Sequence, residues 1–283
     1  MKFKANAKIN LFLNILSKRK DGYHNIKTVF QEISLCDDIF IKKIADTNKI
    51  KILCDNPSIP VDEKNLVYKA AGLLKKYCNI KKGIEIRIKK RIPVGGGLGG
   101  GSSNAATVLN GLNILWRLNL HKNQLTKIAK KIGADVPFFT YNGGRCLGEG
   151  IGNKLTPLKI KKTQWYVIVK PLCEISTSFV YSQLVLPLVK PKERMVLTKT
   201  KKNNTLDMDK YNNDLEDIVI PLYPEIKKIK DLLIESGAEF SLMSGSGSCV
   251  FGVAKNRTMG IKIKNCLQKN GYLVWLVHSV KDN

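Results

Sequence analysis

The order of apolar and polar positions divides the chain into short strands and amphipathic helices. Across residues 7–16, Ile9, Leu11, Leu13 and Ile15 fall on one face of a predicted strand, and Lys8, Asn10, Phe12 and Asn14 on the other. A polar turn at 18–22 leads to Tyr23-His24 and to mixed strands running to about Ile52. Leu66, Ala70, Leu73, Leu74 and Tyr77 recur at helical spacing within 65–77, and Ile84, Ile86 and Ile88 alternate with charged residues in a further strand. Ser102 or Ser103 is the expected N-cap of the next helix, whose apolar stripe is Ala105, Val108, Leu109, Leu112 and Leu115. Another helix, about 124–132, stops at Gly133.

Past Pro157 the pattern restarts with a strand at 165–169. Residues 187–213 are rich in Lys and Asn with weak periodicity and read as a surface excursion. A helix at 224–235, strands at 240–243 and 249–253, and a helix near 260–269 follow. The irregular alternation, without internal repeat, predicts an α+β fold rather than a doubly wound parallel sheet. Two domains are expected, 1–157 and 158–283.

Composition narrows the function classes. With 43% hydrophobic and 25% charged residues, the chain has the make-up of a soluble globular protein. Its longest apolar runs, such as 165–169, are too short to span a bilayer, and the N-terminus lacks a signal pattern; a cytoplasmic protein without membrane partners is expected. Seven scattered cysteines, none in a C-x-x-C pair, and three histidines fit reduced thiols rather than a zinc site. The formal net charge is +25, from 41 lysines, seven arginines and 23 acidic residues. Lys, Ile and Asn share AT-rich codons, the lysines are dispersed, and aromatics do not interleave with them to form a base-stacking platform. Genomic drift therefore explains the charge better than a nucleic-acid partner, while leaving an attraction for anionic small molecules.

The strongest chemical signal is Pro93-Val94-Gly95-Gly96-Gly97-Leu98-Gly99-Gly100-Gly101-Ser102-Ser103, which follows a strand and opens a helix. Six glycines in seven positions uncover the backbone, and a helix N-terminus favours an anion, so this reads as a polyphosphate cradle. It lacks the Gly-Lys-Ser/Thr ending of a Walker A loop. It also lacks the acidic residue that a dinucleotide fingerprint places about 20 positions on; Leu118, Asn119, Leu120 and His121 stand there. Asp135, in Gly133-Ala134-Asp135-Val136-Pro137, is either a functional carboxylate in an apolar corner or the cap of the next turn. Ser244-Gly245-Ser246-Gly247 is a second phosphate-approach loop or a plain hairpin. His24 can hydrogen-bond a base or sugar, or serve structure.

Taken together, the N-terminal A-K-I-N-L-F-L, the P-V-G-G-G-L-G-G-G-S-S-N-A-A loop and the late S-G-S-G-S resemble, in order and separation, the signature regions of the galactokinase–homoserine kinase–mevalonate kinase–phosphomevalonate kinase (GHMP) superfamily. D-G-Y-H at 21–24, the expanded glycine run and G-A-D-V-P-F-F at 133–139 are most similar to its branch acting on 4-diphosphocytidyl-2-C-methyl-D-erythritol. Resemblance is high to about residue 175, thin over 187–213, and returns at Met243.

The resemblance implies a ribosomal protein S5 domain 2-like N-terminal domain and a ferredoxin-like C-terminal domain. It implies ATP-dependent phosphorylation of the substrate's 2-hydroxyl, with Mg²⁺, in the non-mevalonate isoprenoid precursor pathway. Lys8 and Asp135 match the catalytic pair. Pro93, Val94, Gly95, Gly96, Gly97, Leu98, Gly99, Gly100, Gly101, Ser102 and Ser103 match the phosphate loop, with Asn65 and Lys90 towards the adenine. Asn10, Tyr23, His24, Thr177 and Tyr181 match the cytidine-diphosphate site, and the resemblance assigns no metal ligands. Tyr181 stands where Phe is frequent, a change that preserves stacking, and Ser248 where Ala is frequent. A homoserine- or mevalonate-type kinase would share the loop without needing Gly22-Tyr23-His24, whereas an RNA-binding protein is favoured by charge alone.

Overall fold

The computed structural model describes residues 1–45, 48–141, 144–160, 162–184 and 211–280. They form two compact units, one of Met1–Ala7, Leu35–Pro93 and Gly99–Gly143, the other of Lys8–Ser34, Val94–Leu98 and Gly144–Asn283. Two long strands, β1 (Lys2–Lys18) and β2 (His24–Ile44), contribute to both. The mixed strands expected after His24 are thus mostly one 21-residue strand.

In the first unit the later part of β2 pairs antiparallel with β4 (Gly83–Lys89), from Asp38↔Lys89 to Ile44↔Gly83, and β3 (Ile50–Cys54) runs parallel to β4. Ile39, Ile41, Ile52, Ile84, Ile86 and Ile88 are all buried and recur at alternate positions along their strands, which gives this sheet one apolar face. Helices α1 (Leu66–Tyr77) and α2 (Gly100–Leu115) pack with each other, followed by α3 (Lys122–Ala129) and the short α4 (Val136–Thr140). The other face of the sheet is polar: Lys42 and Lys51 share Glu85, while Lys2 and Arg91 share Asp38.

In the second unit, Ile26–Gln31 of β2 pair antiparallel with β5 (Arg145–Gly150), which pairs with β6 (Lys154–Pro157). The remainder is a four-stranded antiparallel sheet in the order β10-β7-β9-β8, made of β7 (Trp165–Lys170), β8 (Phe240–Met243), β9 (Val250–Ala254) and β10 (Leu273–His278). Helices α5 (Thr177–Ser182), α6 (Glu216–Leu222) and α7 (Pro224–Glu235) lie between β7 and β8 in the chain, and α8 (Arg257–Lys269) between β9 and β10. With α7 and α8 as its two main helices, this is the β-α-β-β-α-β, ferredoxin-like arrangement. Val167, Val169, Ile229, Leu233, Val250, Ile263 and Leu267 belong to its core, and each fully buried aliphatic side chain contributes roughly 1.5–3 kcal/mol. Gly260 lets α8 close on the sheet, because a Cβ there would lie 2.4 Å from Leu276 Cδ1.

Two expectations need correction. Neither Ser102 nor Ser103 caps α2: the helix starts at Gly100 after Gly99, whose left-handed φ of +67° turns the chain directly into the helix without a side-chain cap. Most of 187–213 lies outside the described residues, but its end is no surface excursion, since Tyr211 and Asn213 are buried. Among the described residues no helix is long and apolar enough to cross a membrane.

Candidate active site

Strand β1 carries Lys8 and Asn10 into the interior of the second unit: both are buried, as fully as the apolar Ile9 and Leu11 between and beside them. A lysine is seldom buried without partners. Lys8 Nζ donates to Asn10 Oδ1 at 2.6 Å, and Asn10 Nδ2 donates to Thr28 Oγ1 at 2.8 Å. Thr28 in turn donates to the Phe12 carbonyl at 2.6 Å. The ammonium also lies 5.5 Å from the centre of the Phe30 ring, a cation–π distance. This relay fixes where the Lys8 charge stands.

Residues 95–98 run beside the Lys8 backbone and are stitched in place through their carbonyls. Ser248 N–H donates to Gly95 O and Cys249 N–H to Gly96 O, both at 3.2 Å. Ser244 Oγ donates to Gly97 O at 3.1 Å, and Lys8 N–H to Leu98 O at 3.0 Å. A planar trans peptide sends its N–H opposite its carbonyl, so the amides of Gly96, Gly97 and Leu98 are turned away from these donors. Gly97 has φ +69°, and a Cβ on it would lie 2.1 Å from Ser244 O, so only glycine permits this approach. With no side chain on Gly95, Gly96 or Gly97 and that of Leu98 buried, the stretch offers amide donors, as a phosphate ligand requires.

The 244–248 loop does join two antiparallel strands, β8 and β9, yet it is not an exposed hairpin turn: every residue from 241 to 250 is buried. It also touches the predicted substrate residues, since Thr177 Oγ1 and Ser246 Oγ share a hydrogen bond of 2.7 Å. His24 lies 5.4 Å, centroid to centroid, from Tyr181 with the rings tilted by 39°. Its Nε2 is buried and has no hydrogen-bond partner in the described structure. Burial pushes the imidazole pKa down, with a smaller contribution from Lys18, so the neutral ring is favoured. Tyr23 is exposed, and His24 is an aromatic partner of Tyr181.

The other predicted residues belong to the first unit. The Lys90 side chain is only 6% exposed and its Nζ donates to Asp37 at 2.6 Å and to Ile92 O at 2.8 Å. Asp37, wholly buried, also accepts from the Arg91 and Ile92 amides. Lys90 Nζ stands at the start of α2, 3.0 Å from where a Cβ on Gly100 would be. Pro93 is half-buried, Gly101 is exposed, Ser102 is half-buried and Ser103 is buried in the first turn, its N–H donating to Gly99 O. Val94, in the second unit, is 37% exposed. Asn65 caps α1: its Oδ1 accepts from Val67 N–H and its Nδ2 donates to Pro60 O, so both ends of the amide serve the fold. Asp135 occupies the N-cap position of α4 without making a capping hydrogen bond, which sets aside the simple capping role.

Sequence reasoning missed Thr28, Asp37, Asn213 and Glu216, all buried polar residues with structural partners. Asp37 alone had a local signal, a carboxylate within an otherwise strand-forming run.

The GHMP kinases N terminal domain model matches residues 65–143, and the GHMP kinases C terminal model matches 199–273. A 4-diphosphocytidyl-2-C-methyl-D-erythritol kinase of Caldicellulosiruptor bescii is 43% identical over 93% of this chain and 92% of its own length. One of Exiguobacterium sibiricum is 38% identical over 99% and 98%. The crystal structure of a 4-(cytidine 5'-diphospho)-2C-methyl-D-erythritol kinase superposes with a TM-score of 0.80 at 30% identity, covering 99% of both chains. A homoserine kinase from Cytophaga hutchinsonii, at 18% identity and TM-score 0.75 over 100% of this chain and 95% of its own, shares the fold. With glycine loop, buried lysine and both halves matched, the chain belongs to the 4-diphosphocytidyl-2-C-methyl-D-erythritol kinase family of the GHMP kinases.

Proposed function

We propose that this protein transfers the γ-phosphoryl group of ATP to the 2-hydroxyl of 4-diphosphocytidyl-2-C-methyl-D-erythritol, in the non-mevalonate isoprenoid precursor pathway of the cytoplasm. The observation that carries the reading is the glycine loop, held through four successive carbonyls so that its amides are available to a phosphate. Gly97 closes on Ser244 O where no Cβ could fit, which fixes the path of the loop, and the side-chain-free amides so held fit a nucleotide polyphosphate. The relatives named for this reaction match more than nine-tenths of the chain.

ATP supplies the phosphoryl group, and Mg²⁺ arriving with it neutralises phosphate charge. Pro93, Val94, Gly95, Gly96, Gly97, Leu98, Gly99, Gly100, Gly101, Ser102 and Ser103 bind the phosphates, and Lys90 and Asn65 support the nucleotide side. Asp135 accepts or orients the proton of the 2-hydroxyl, and Lys8 stabilises negative charge on the reacting oxygens. Asn10 holds the Lys8 ammonium in place. His24 and Tyr181 take the cytosine, supported by the unpartnered Nε2, whose burial without a hydrogen bond is unfavourable until a ligand provides one. Tyr23 and Thr177 complete that side. A functional division into 1–157 and 158–283 is supported by the family matches at 65–143 and 199–273, while the compact units interleave across it, residues 8–34 and 94–98 belonging to the second.

ATP consumption measured with Mg²⁺ and each of three acceptors tests this. Turnover is expected with the cytidylylated methylerythritol and not with mevalonate or homoserine. Asp135→Ala should lower kcat by about 10²–10⁴-fold while ATP still binds. Turnover confined to mevalonate or homoserine would overturn the substrate, and an unchanged kcat in the variant would overturn the role of Asp135.

A further inference from the structure

The stretch leading into α6, Tyr211-Asn212-Asn213-Asp214-Leu215-Glu216, has no part in the proposed reaction, yet it makes a dense set of buried polar contacts. Asn213 is buried, and the hydrogen-bonding capacity of its side chain is directed to two places. Nδ2 donates to Met243 O at 2.9 Å and to Gly245 O at 2.7 Å, while Oδ1 accepts from Leu215 N–H at 3.1 Å. One amide group therefore grips the chain on both sides of Ser244. Glu216, also buried, accepts from Met243 N–H at 2.7 Å and pairs with Lys230.

The same stretch is tied to β1. Leu13 N–H donates to Asn212 O at 2.8 Å and Asp214 N–H to Leu13 O at 2.9 Å. Asp214 Oδ2 accepts from Ile15 N–H at 2.7 Å. Asn213 is thus held against the strand that carries Lys8 and Asn10, and it holds the loop that carries Ser244. Ser244 itself bridges the two, accepting from Asn10 N–H at 3.3 Å and donating to Gly97 O. A Cβ on Gly245 would lie 3.2 Å from Asn10 Oδ1 and 3.6 Å from Lys8 Nζ. A small displacement of Met243–Gly245 would therefore move both the floor of the glycine loop and the space beside the Lys8 ammonium.

We infer that Asn213 is a positioning residue for the phosphoryl transfer, setting the 244–248 loop and, through it, the carbonyls of Gly95, Gly96 and Gly97. The inference rests on the glycine loop being the phosphate site. Two carbonyls gripped by one amide make the position sensitive to chemistry as well as volume. Asn213→Asp keeps the shape but sets a carboxylate against two carbonyl oxygens, while Asn213→Ser keeps one donor on a shorter arm.

Steady-state kinetics with ATP and the cytidylylated acceptor, together with thermal unfolding, test this in Asn213→Ala, Asn213→Ser and Asn213→Asp. Leu267→Ala, a core substitution on α8, controls for lost stability. Asn213→Ala should raise KM for ATP or lower kcat by about tenfold or more, since two buried acceptors lose their donor. KM for the acceptor should rise less than KM for ATP, since the loop meets that side only through Ser246 with Thr177 and Ser244 with Asn10, Asn213→Ser should be milder, and Asn213→Asp at least as severe. If the alanine variant does not fold, the serine and aspartate variants carry the comparison. Asn213 variants that match Leu267→Ala, or that raise both KM values equally, would leave only a structural role and overturn the proposal. Gly97→Ala separates the underlying reading: if it keeps full ATP affinity, the phosphate-loop assignment fails; if it loses affinity while the Asn213 variants do not, the positioning role alone fails.

Discussion

Burial of the His24 imidazole beside Tyr181 disfavours its charged form, and the nearby Lys18 acts in the same direction. In the fold the ring therefore titrates below 6.5, its ordinary value, and is neutral at pH 7. Between 6.5 and that depressed pKa the unfolded chain binds more protons than the fold, so this group's contribution to stability is complete above 6.5 and declines as pH falls through the window. If the neutral ring receives the cytosine, KM for the cytidylylated substrate should be flat from pH 8 to about 6.5 and rise only at lower pH. Replacing His24 by Asn should raise KM and flatten that acid limb. A KM already rising above pH 7 in the unaltered protein would show that another group controls binding. At this scale the sequence was informative where a residue's neighbours lie close in the chain. Lys8 and Asn10 share a strand face by simple alternation, and they do meet. Thr28, 18 positions from Asn10, and Asn213, 30 from Met243, carry no comparable mark, because their partners arrive only with the fold.

Between β4 and the glycine run, one buried carboxylate shapes a whole connection. Asp37 on β2 accepts from the Lys90 ammonium and from two successive amides, Arg91 and Ile92, and thereby fixes the path of the chain as it leaves the sheet. Asp37→Asn would leave the Lys90 ammonium, with a side chain only 6% exposed, facing an amide instead of a carboxylate. Breaking one side of a buried pair typically costs about 3–5 kcal/mol, so urea unfolding should show a loss of that order. Replacing Lys90 by Met in the same protein should restore part of it, because no unpaired charge then remains. A loss below about 1 kcal/mol in the single variant would mean that the amide compensates fully. Elements with strong local patterns were legible: α7 and β8 have the expected limits, and α1 begins one residue after its cap at Asn65. Those defined by their partners were not. In β5, Gly148 and Gly150 weaken the strand signal, and pairing with β2 is what makes it a strand. α6 contains Pro221, and β10 runs L-V-W-L-V-H without polar alternation.

For the molecule as a whole, a formal charge of +25 acts on every anion that approaches, and both proposed substrates are anions. Some lysines are paired with carboxylates, as Lys42 and Lys51 are with the one Glu85 they share, but 23 acidic residues cannot offset 48 basic ones. Diffuse attraction of this kind is screened over about 10 Å at 0.1 M salt and about 3 Å at 1 M. Chemistry within the site depends instead on buried contacts such as Lys8 with Asn10, which salt screens far less. KM for ATP and for the cytidylylated acceptor should therefore rise between 0.05 and 0.5 M KCl by roughly two- to fivefold, with kcat nearly constant. The same experiment bears on the choice between codon drift and nucleic-acid recognition as the origin of the charge. Dispersed lysines give a shallow dependence, whereas a surface built to bind several phosphates of RNA together releases a counterion for each and gives a steep one. A titration with single-stranded RNA over that salt range should yield only weak binding at the low end. Tight RNA binding with a steep slope would show that the basic character has been organised for a second ligand, and the drift explanation would then fail.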